Sequence, residues 1–325
     1  ELLDQIGQLI DGKKNKKLKN LLAELHYADM AEIIDELSLE RGVYLIKLVD
    51  SEKTSDVLTE LDEDVREKIL KELSAKEIAG ELEELDTDDA ADIIGELPQE
   101  RQERVISQIS DESHAEDIRE LLRYDENSAG GLMAKELVKV NENWTVLKSV
   151  REMRIQAEEV TRVHTIYVVD DQDKLVGRLS LKDLLNFPTK ESIKNIYIPK
   201  VDSVNVDENG EEVARIMSKY DLEAIPVVDN KGILVGRITI DDIVDLIKDE
   251  ADKDYQMAAG ISQDVEADDS IYDLTRARLP WLTLGLIGGL GSVFILEGFE
   301  NIMTHPDFRS LFFFTPLIAA MAGNV

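Results

Sequence analysis

The chain has 325 residues, with 37 Lys and Arg against 69 Asp and Glu, a formal charge of −32. That excess opposes nucleic-acid binding, which needs basic side chains to displace counterions, and docking on anionic lipid; it suits a cation as partner. With no Cys, thiolate zinc sites and disulfides are excluded, and the four histidines (His26, His114, His164, His305) lack ligand spacing, so any metal is a hard one held by oxygen.

Length predicts two or three domains. Residues 1–125 read as helix throughout, with apolar residues three and four apart, as in Leu18, Leu21, Leu22 and Leu25. Ser74 followed by Glu77 is a capping-box pattern that restarts a helix, and Pro98 follows another helix end. Asp29–Ile34 (DMAEII) and Asp89–Ile94 (DAADII) form a weak repeat 60 residues apart. Short amphipathic helices repeating in this way stack into an all-α superhelical array.

Beyond residue 125 the period changes. Ile166–Leu185 (IYVVDDQDKLVGRLSLKDLL) and Ile225–Val244 (IPVVDNKGILVGRITIDDIV) align without a gap, 59 residues apart. Thr165–Val169 and Ile225–Val228 are β-branched runs, each ending in Asp and a polar turn. Second strands follow at Leu175–Leu179 and Leu234–Ile238, and each enters a helix through Ser180 or Thr239. Helices at Val146–Arg154 and Glu211–Tyr220 precede the two units. The sequence then predicts one long, heavily acidic helix over 241–259.

Leu279–Leu296 is 18 residues without a charge, close to the length that spans a bilayer. Trp281 is placed as an interfacial aromatic, and Arg276 and Arg278 put the preceding side in the cytoplasm. Gly285 and Gly289 form a GxxxG spacing that lets helices approach closely. Gly298–Ser310 reads as a short outer loop, and Leu311–Val325 begins a second span, with Pro316, Gly323 and Asn324 unusual for a simple anchor.

The order strand–turn–strand–helix, closed twice by Gly-h-[Ser/Thr]-x-x-Asp (Gly177, Ser180, Asp183; Gly236, Thr239, Asp242), resembles a tandem pair of CBS domains. Joined to the helical array, the acidic helix and the apolar spans, the whole chain resembles the MgtE family of magnesium channels and transporters. The sharpest pieces are Tyr124–Met133 (YDENSAGGLM), Tyr220–Asp229 (YDLEAIPVVD), Gly298–Glu300 and Pro316–Asn324. The resemblance implies a multidomain fold: an all-α superhelical N domain (1–125), an α/β tandem CBS pair (126–196 and 197–246), an acidic plug helix and linker (241–275), and α-helical transmembrane segments (279–325). It implies a homodimer through the CBS domains in a bacterial plasma membrane, multi-pass, with the N-terminal domains cytoplasmic.

In that family cytosolic Mg²⁺ bridges the helical domain, the CBS pair and the plug helix, and favours the closed pore. The matching positions here are Asp56, Asp88 and Asp92 in the helical domain, and Glu211, Asp221, Asp242 and Asp245 in the second CBS unit. Glu250 and Asp254 match on the plug helix, the Gly131 backbone gives a further contact, and Ala320, Gly323 and Asn324 match a pore-lining stretch. ATP is the second ligand the resemblance implies, at Ser180 and Asp183; where some members stack an aromatic on adenine, this chain has Thr165. The residue chemistry agrees. Mg²⁺ keeps most of its water and takes one or two carboxylates, while Asp88 and Asp92, or Asp242 and Asp245, share a helix face. Two carboxylates about 4 Å apart repel by about 4 kcal/mol at an effective dielectric of 20, and a bridging cation reverses that sign. No nucleophile–base pair, phosphate loop or dinucleotide fingerprint points to an enzyme. The alternative is a CBS-regulated transporter of another ion, sensing adenine nucleotide or ionic strength.

Overall fold

The computed structural model describes residues 2–298 apart from 158, 159, 161, 164, 259, 260 and 262–270; in the last helix, side chains 271, 273, 274, 289 and 292–298 are not described. The chain divides after Leu246 into two compact bodies.

Residues 2–121 form ten helices: α1 (Leu2–Asp11), α2 (Asn15–Glu24), α3 (Tyr27–Asp35), α4 (Leu39–Ile46), α5 (Ser51–Glu60), α6 (Glu63–Glu72), α7 (Ala75–Leu82), α8 (Thr87–Gly95), α9 (Gln99–Ile106) and α10 (Glu112–Leu121). From α3 to α9 a new helix starts every 12 residues. The 60-residue similarity in the sequence is five of these steps. Each step is two turns of helix and a tight corner, too short to bury its apolar side alone. The solution is stacking of alternate members: α3 on α5, α5 on α7 and α7 on α9, with α4 on α6 and α8 on α10 beside them. The capping box is present, Ser74 Oγ accepting from Glu77 N while Glu77 Oε2 accepts from Ser74 N at 2.7 Å. Cations finish other helices: Arg101 Nη2 donates to the Leu70 carbonyl at 2.6 Å and Lys53 Nζ to that of Leu22 at 2.7 Å, where helix C-termini leave carbonyls without partners.

Two similar α/β repeats follow. In the first, β1 (Val138–Asn141) lies parallel to β2 (Ile166–Val169), β2 antiparallel to β3 (Leu175–Leu179), and β3 antiparallel to the short β4 (Ile198–Pro199). Helices α11 (Val146–Gln156) and α12 (Leu181–Asn186) complete it. In the second, β5 (Val204–Asn205) is parallel to β6 (Ala224–Val228) and β6 antiparallel to β7 (Leu234–Thr239), with α13 (Gly210–Tyr220) between β5 and β6. The polar turns are alike. Asp170 Oδ1 accepts from the Gln172 and Lys174 amides, and Asp229 Oδ1 from those of Lys231 and Ile233, all within 3.0 Å. The two turns also bond each other symmetrically, Leu175 N to Gly232 O at 3.1 Å and Leu234 N to Asp173 O at 3.0 Å. The core of the helical array continues without a break through Ala129 and Met133 into the second repeat, reaching Val213, Ile225 and Ile238. The first repeat has a core of its own around Val140, Ile166 and Val168.

Helix α14 (Ile240–Ala258) is the long acidic helix, and α15 (Ile271–Gly298) takes in the apolar run Leu279–Leu296. Among the described residues no helix is long and apolar enough to cross a membrane. The second span, with Ala320, Gly323 and Asn324, lies outside the described residues.

Candidate metal centre

Helix α8 buries Ala90, Ala91, Ile93 and Ile94 in the superhelix. Its first turn is clasped by the chain that leaves the helical array. Thr87 donates from N and Oγ1 to Glu136 Oε2, at 3.2 and 2.9 Å, and Thr87 Oγ1 accepts from Lys135 N at 2.9 Å. That segment is itself fixed to the second repeat, because Ala134 and Arg237 exchange backbone hydrogen bonds of 2.8 and 2.9 Å. Gly236 makes this approach possible: a Cβ there would meet Met133 Sδ at 2.7 Å and Ala134 O at 2.8 Å. The carboxylates of α8 are thereby brought against the start of α14.

Four carboxyls from these two elements crowd together. Asp88 is buried, and its pKa lies well above the usual range through burial first and the charge of Asp242 second. Asp89 is pushed up to about 7 by burial and then by Asp242 and Asp92. Asp92 rises to about 7, through crowding by protein atoms and then through Glu126 and Asp242, although its side chain keeps an open solvent edge. That edge gives an ion a way in. Asp242 rises to about 6 by burial, against the hydrogen bonds it accepts at Oδ2 from Thr239 Oγ1 (2.7 Å) and Thr239 N (2.9 Å). Glu136 is raised too, by burial and by Asp86. Crowded ionised carboxylates in partly buried surroundings attract either protons or a cation. Among the described residues no group of three or more His, Asp or Glu side chains is arranged to hold a metal directly. An ion that keeps its water needs only one or two carboxylates, and an all-oxygen donor set suits Mg²⁺.

The structure thus brings together Asp88, Asp92 and Asp242 of the residues singled out in the sequence. Asp245 is exposed one turn further along α14. Glu211 opens α13 beside the 125–131 loop, where Gly210 N donates to Asn127 O at 2.7 Å. Gly131 closes that loop, and a Cβ there would collide with the Asp125 carbonyl and the Glu126 backbone. Asp221 is the left-handed C-cap of α13, φ 53°, ten residues after Glu211 and so about 15 Å away along the helix. Asp56 lies on α5 among a different set of charges, Glu52 and His26, and burial raises its pKa. Glu250 and Asp254 sit on the later turns of α14, within the second body. Asp86, Asp89, Glu126, Glu136 and Arg237 belong to the site without having been singled out. Four Asp in the seven residues 86–92 were a visible signal for two of them.

Ser180 and Asp183 make a capping box at α12. Asp183 Oδ2 accepts from Ser180 Oγ at 2.6 Å and from Ser180 N at 3.1 Å, and these bonds hold its carboxyl below the usual range. The cleft between the repeats is elsewhere, lined by residues including Leu137, Arg162, Thr165, Tyr167 and Arg237. The Tyr167 hydroxyl is buried and, among the described residues, has no hydrogen-bond partner.

Comparison with known proteins matches residues 25–127 to the MgtE intracellular N domain, and residues 129–190 and 193–249 to the CBS domain. The chain is 37% identical over 210 residues to the magnesium transporter MgtE of Thermus thermophilus, and 36% over 204 residues to that of Bacillus subtilis. Each alignment covers 63% of this chain and 45% of the relative, so the matched part spans about half the relatives' length. Among solved structures, the cytosolic domain of the Mg²⁺ channel MgtE in complex with ATP matches with a TM-score of 0.70 at 34% identity, over 75% of this chain and 99% of that one. The soluble part of a magnesium transporter matches at 0.67 and 29%, over 77% and 98%. With its superhelical N domain joined to a tandem CBS pair, the chain belongs to the MgtE family.

Proposed function

We propose that this chain is the sensing part of a Mg²⁺ channel or transporter, in which cytosolic Mg²⁺ bridges acids of the N domain and the CBS pair and favours the closed state. The observation that carries this reading is the meeting of Asp88, Asp89 and Asp92 of α8 with Asp242: all four are raised in pKa first by burial, and the charge of Asp242 raises each of the three on α8 further. Without a cation, that cluster opposes docking of α8. With one, it favours docking. A millimolar site contributes about 4 kcal/mol, so a few such sites acting together shift a two-state equilibrium steeply. Gly131, Glu211, Asp221, Asp245, Glu250, Asp254 and Asp56 extend the reading to neighbouring surfaces and the plug helix. Leu279–Leu296 and the following segment supply the membrane spans of a multi-pass protein whose N-terminal domains are cytoplasmic. Exposed Leu181 and Leu185 on α12, and their counterparts Ile240 and Val244 on α14, offer an apolar surface for a homodimer.

Limited proteolysis of the chain in millimolar Mg²⁺, in Ca²⁺, and in NaCl of matched ionic strength tests the reading. Protection by Mg²⁺ and not by NaCl is expected. Equal protection in both would reduce the cluster to a screened acidic face and sink the proposal.

A second ligand, an adenine nucleotide, is suggested by a related structure, and the narrow cleft between the repeats is a place to test for it. The buried Tyr167 hydroxyl, without a hydrogen-bond partner among the described residues, and two arginines line it, and a related MgtE cytosolic domain is known in complex with ATP. Calorimetric titration of ATP against the chain and its Tyr167→Phe variant tests this. Unchanged binding in the variant would move the nucleotide out of this cleft, towards Ser180 and Asp183.

A further inference from the structure

Arg237 is a buried cation at the edge of the acidic cluster. It is only 7% exposed, whereas its counterpart in the first CBS repeat, Arg178, is on the surface. A buried guanidinium is costly unless its donors are used. Here Nε donates to the Glu136 carbonyl at 2.6 Å and Nη2 to Asp86 Oδ2 at 2.9 Å. Asp86 belongs to the N domain, 151 residues earlier in the chain. It occupies the N-cap position of α8, where an Asp ordinarily accepts a hydrogen bond from the helix's own first turn. It makes no such bond. Its carboxylate is directed to the CBS pair instead of to its own helix.

We propose that Asp86 and Arg237 form a metal-independent latch that holds the first turn of α8 on the second CBS repeat. It is a positioning device for the cluster next to it. Because a fixed charge supplies part of the docking, the unliganded equilibrium starts closer to the docked state, and bridging ions have less of it to shift. The docking it acts on is the one proposed above, so the two ideas need separate readouts.

The absence of native Cys lets two be introduced cleanly, at exposed Glu100 of the N domain and Lys231 of the second CBS repeat. Spin labels at these sites report docked and open populations as a distance distribution in the full chain. The experiment is a double-mutant cycle in EDTA, with Arg237→Gln, Asp86→Asn and both together. A hydrogen bond between charged groups of this kind is expected to change the docked-to-open ratio by about tenfold or more. Arg237→Gln should therefore lower the ratio about tenfold in the native background, and much less when Asp86 is already Asn. Asp86→Asn removes no helix cap, so α8 remains intact. If Arg237→Gln has the same effect in both backgrounds, or none in either, the latch is overturned. Saturating Mg²⁺ should then dock every variant. Failure of Mg²⁺ to dock even the native pair would overturn the sensing reading and leave the latch standing, because the cycle is read without the ion.

Discussion

The two CBS repeats carry the same closing segment and use it differently. Ser180 with Asp183, and Thr239 with Asp242, make the same pair of hydrogen bonds at the start of a helix. Yet Asp183 is held below the usual carboxylate range and Asp242 is raised to about 6. The local bonds lower both. What differs is the surroundings: both carboxyls are half-buried, but Asp242 is crowded by protein atoms and lies beside Asp241, whereas little protein crowds Asp183. Gly177 and Gly236 differ in the same way. Each lets a neighbouring segment close in: the Tyr197 ring and the Ile198 carbonyl for Gly177, and the Met133 side chain and the Ala134 carbonyl of the segment leaving the N domain for Gly236. The duplicated motif therefore fixes geometry, and the element packed against it decides the chemistry.

The sharpest way to break that comparison is at the glycines. Gly236→Ala should cost about 1–3 kcal/mol, because Met133 and the Ala134 carbonyl must be displaced, and the cost should appear as release of the N domain. Gly177→Ala should cost at least as much, since the Tyr197 ring and the Ile198 carbonyl stand in the way, but it should unfold the first repeat and leave the N domain docked. Hydrogen exchange resolved by region would separate the two. Loss of N-domain docking in both variants, or in neither, contradicts the assignment.

Protonation is the next largest effect. The cluster's carboxyls have raised pKa values in the docked state, so docking favours their neutral forms. That contribution is complete below the free value of 3.8 and is lost as the pH rises through about 6 for Asp242 and about 7 for Asp89 and Asp92. In EDTA, the docked-to-open ratio of the labelled chain should fall about tenfold or more between pH 5.5 and 8, since a carboxyl that binds its proton about tenfold more tightly when docked can change that ratio by the same factor. Saturating Mg²⁺ should remove most of that dependence. A ratio that is flat with pH in EDTA would mean the four carboxyls are independently solvated.

How much of this was legible in the sequence depends on distance along the chain. The Ser74 capping box, the β-branched strands and the long acidic helix are local and were read directly, since cap chemistry and period need only neighbouring residues. The 12-residue rhythm of α3–α9 surfaced only as a 60-residue echo. The steps share little beyond a cap and one apolar stripe, and Tyr27, Glu63 and Gln99 open theirs with unrelated side chains. For the site, Asp88, Asp92 and Asp242 came from the family resemblance. Nothing in their spacing says that α8 meets the start of α14. Arg237 was invisible because a basic residue three places before a helix reads as surface, and only a partner 151 residues away makes it otherwise.

Metal dependence compares the repeats more finely. Asp242→Asn keeps an oxygen to accept from Thr239 but removes a charge from the cluster. It should raise the Mg²⁺ midpoint of protease protection by on the order of tenfold, equivalent to about 1.4 kcal/mol. Asp183→Asn should leave that midpoint where it is. Equal shifts in the two variants would place the ion outside the α8 cluster.

The smallest expected difference is in the caps themselves. Ser180→Ala removes an acceptor for Asp183 N, 3.1 Å away, and a donor to its carboxylate. Losing a cap of this kind costs about 1 kcal/mol. In the first repeat that should be the whole effect, seen as a lower urea midpoint and an Asp183 carboxyl that returns towards its ordinary value. Thr239→Ala removes the corresponding bond to Asp242, but there the hydrogen bonds counteract burial, so the carboxyl should rise further and favour its proton more strongly. The Thr239 variant should then need more Mg²⁺ at pH 6.5 than at pH 8, by a wider margin than the native chain. The Ser180 variant should show the native margin. A Thr239 variant with the native margin would mean that Asp242 does not compete with protons for the ion, and that Asp89 and Asp92 carry the pH response.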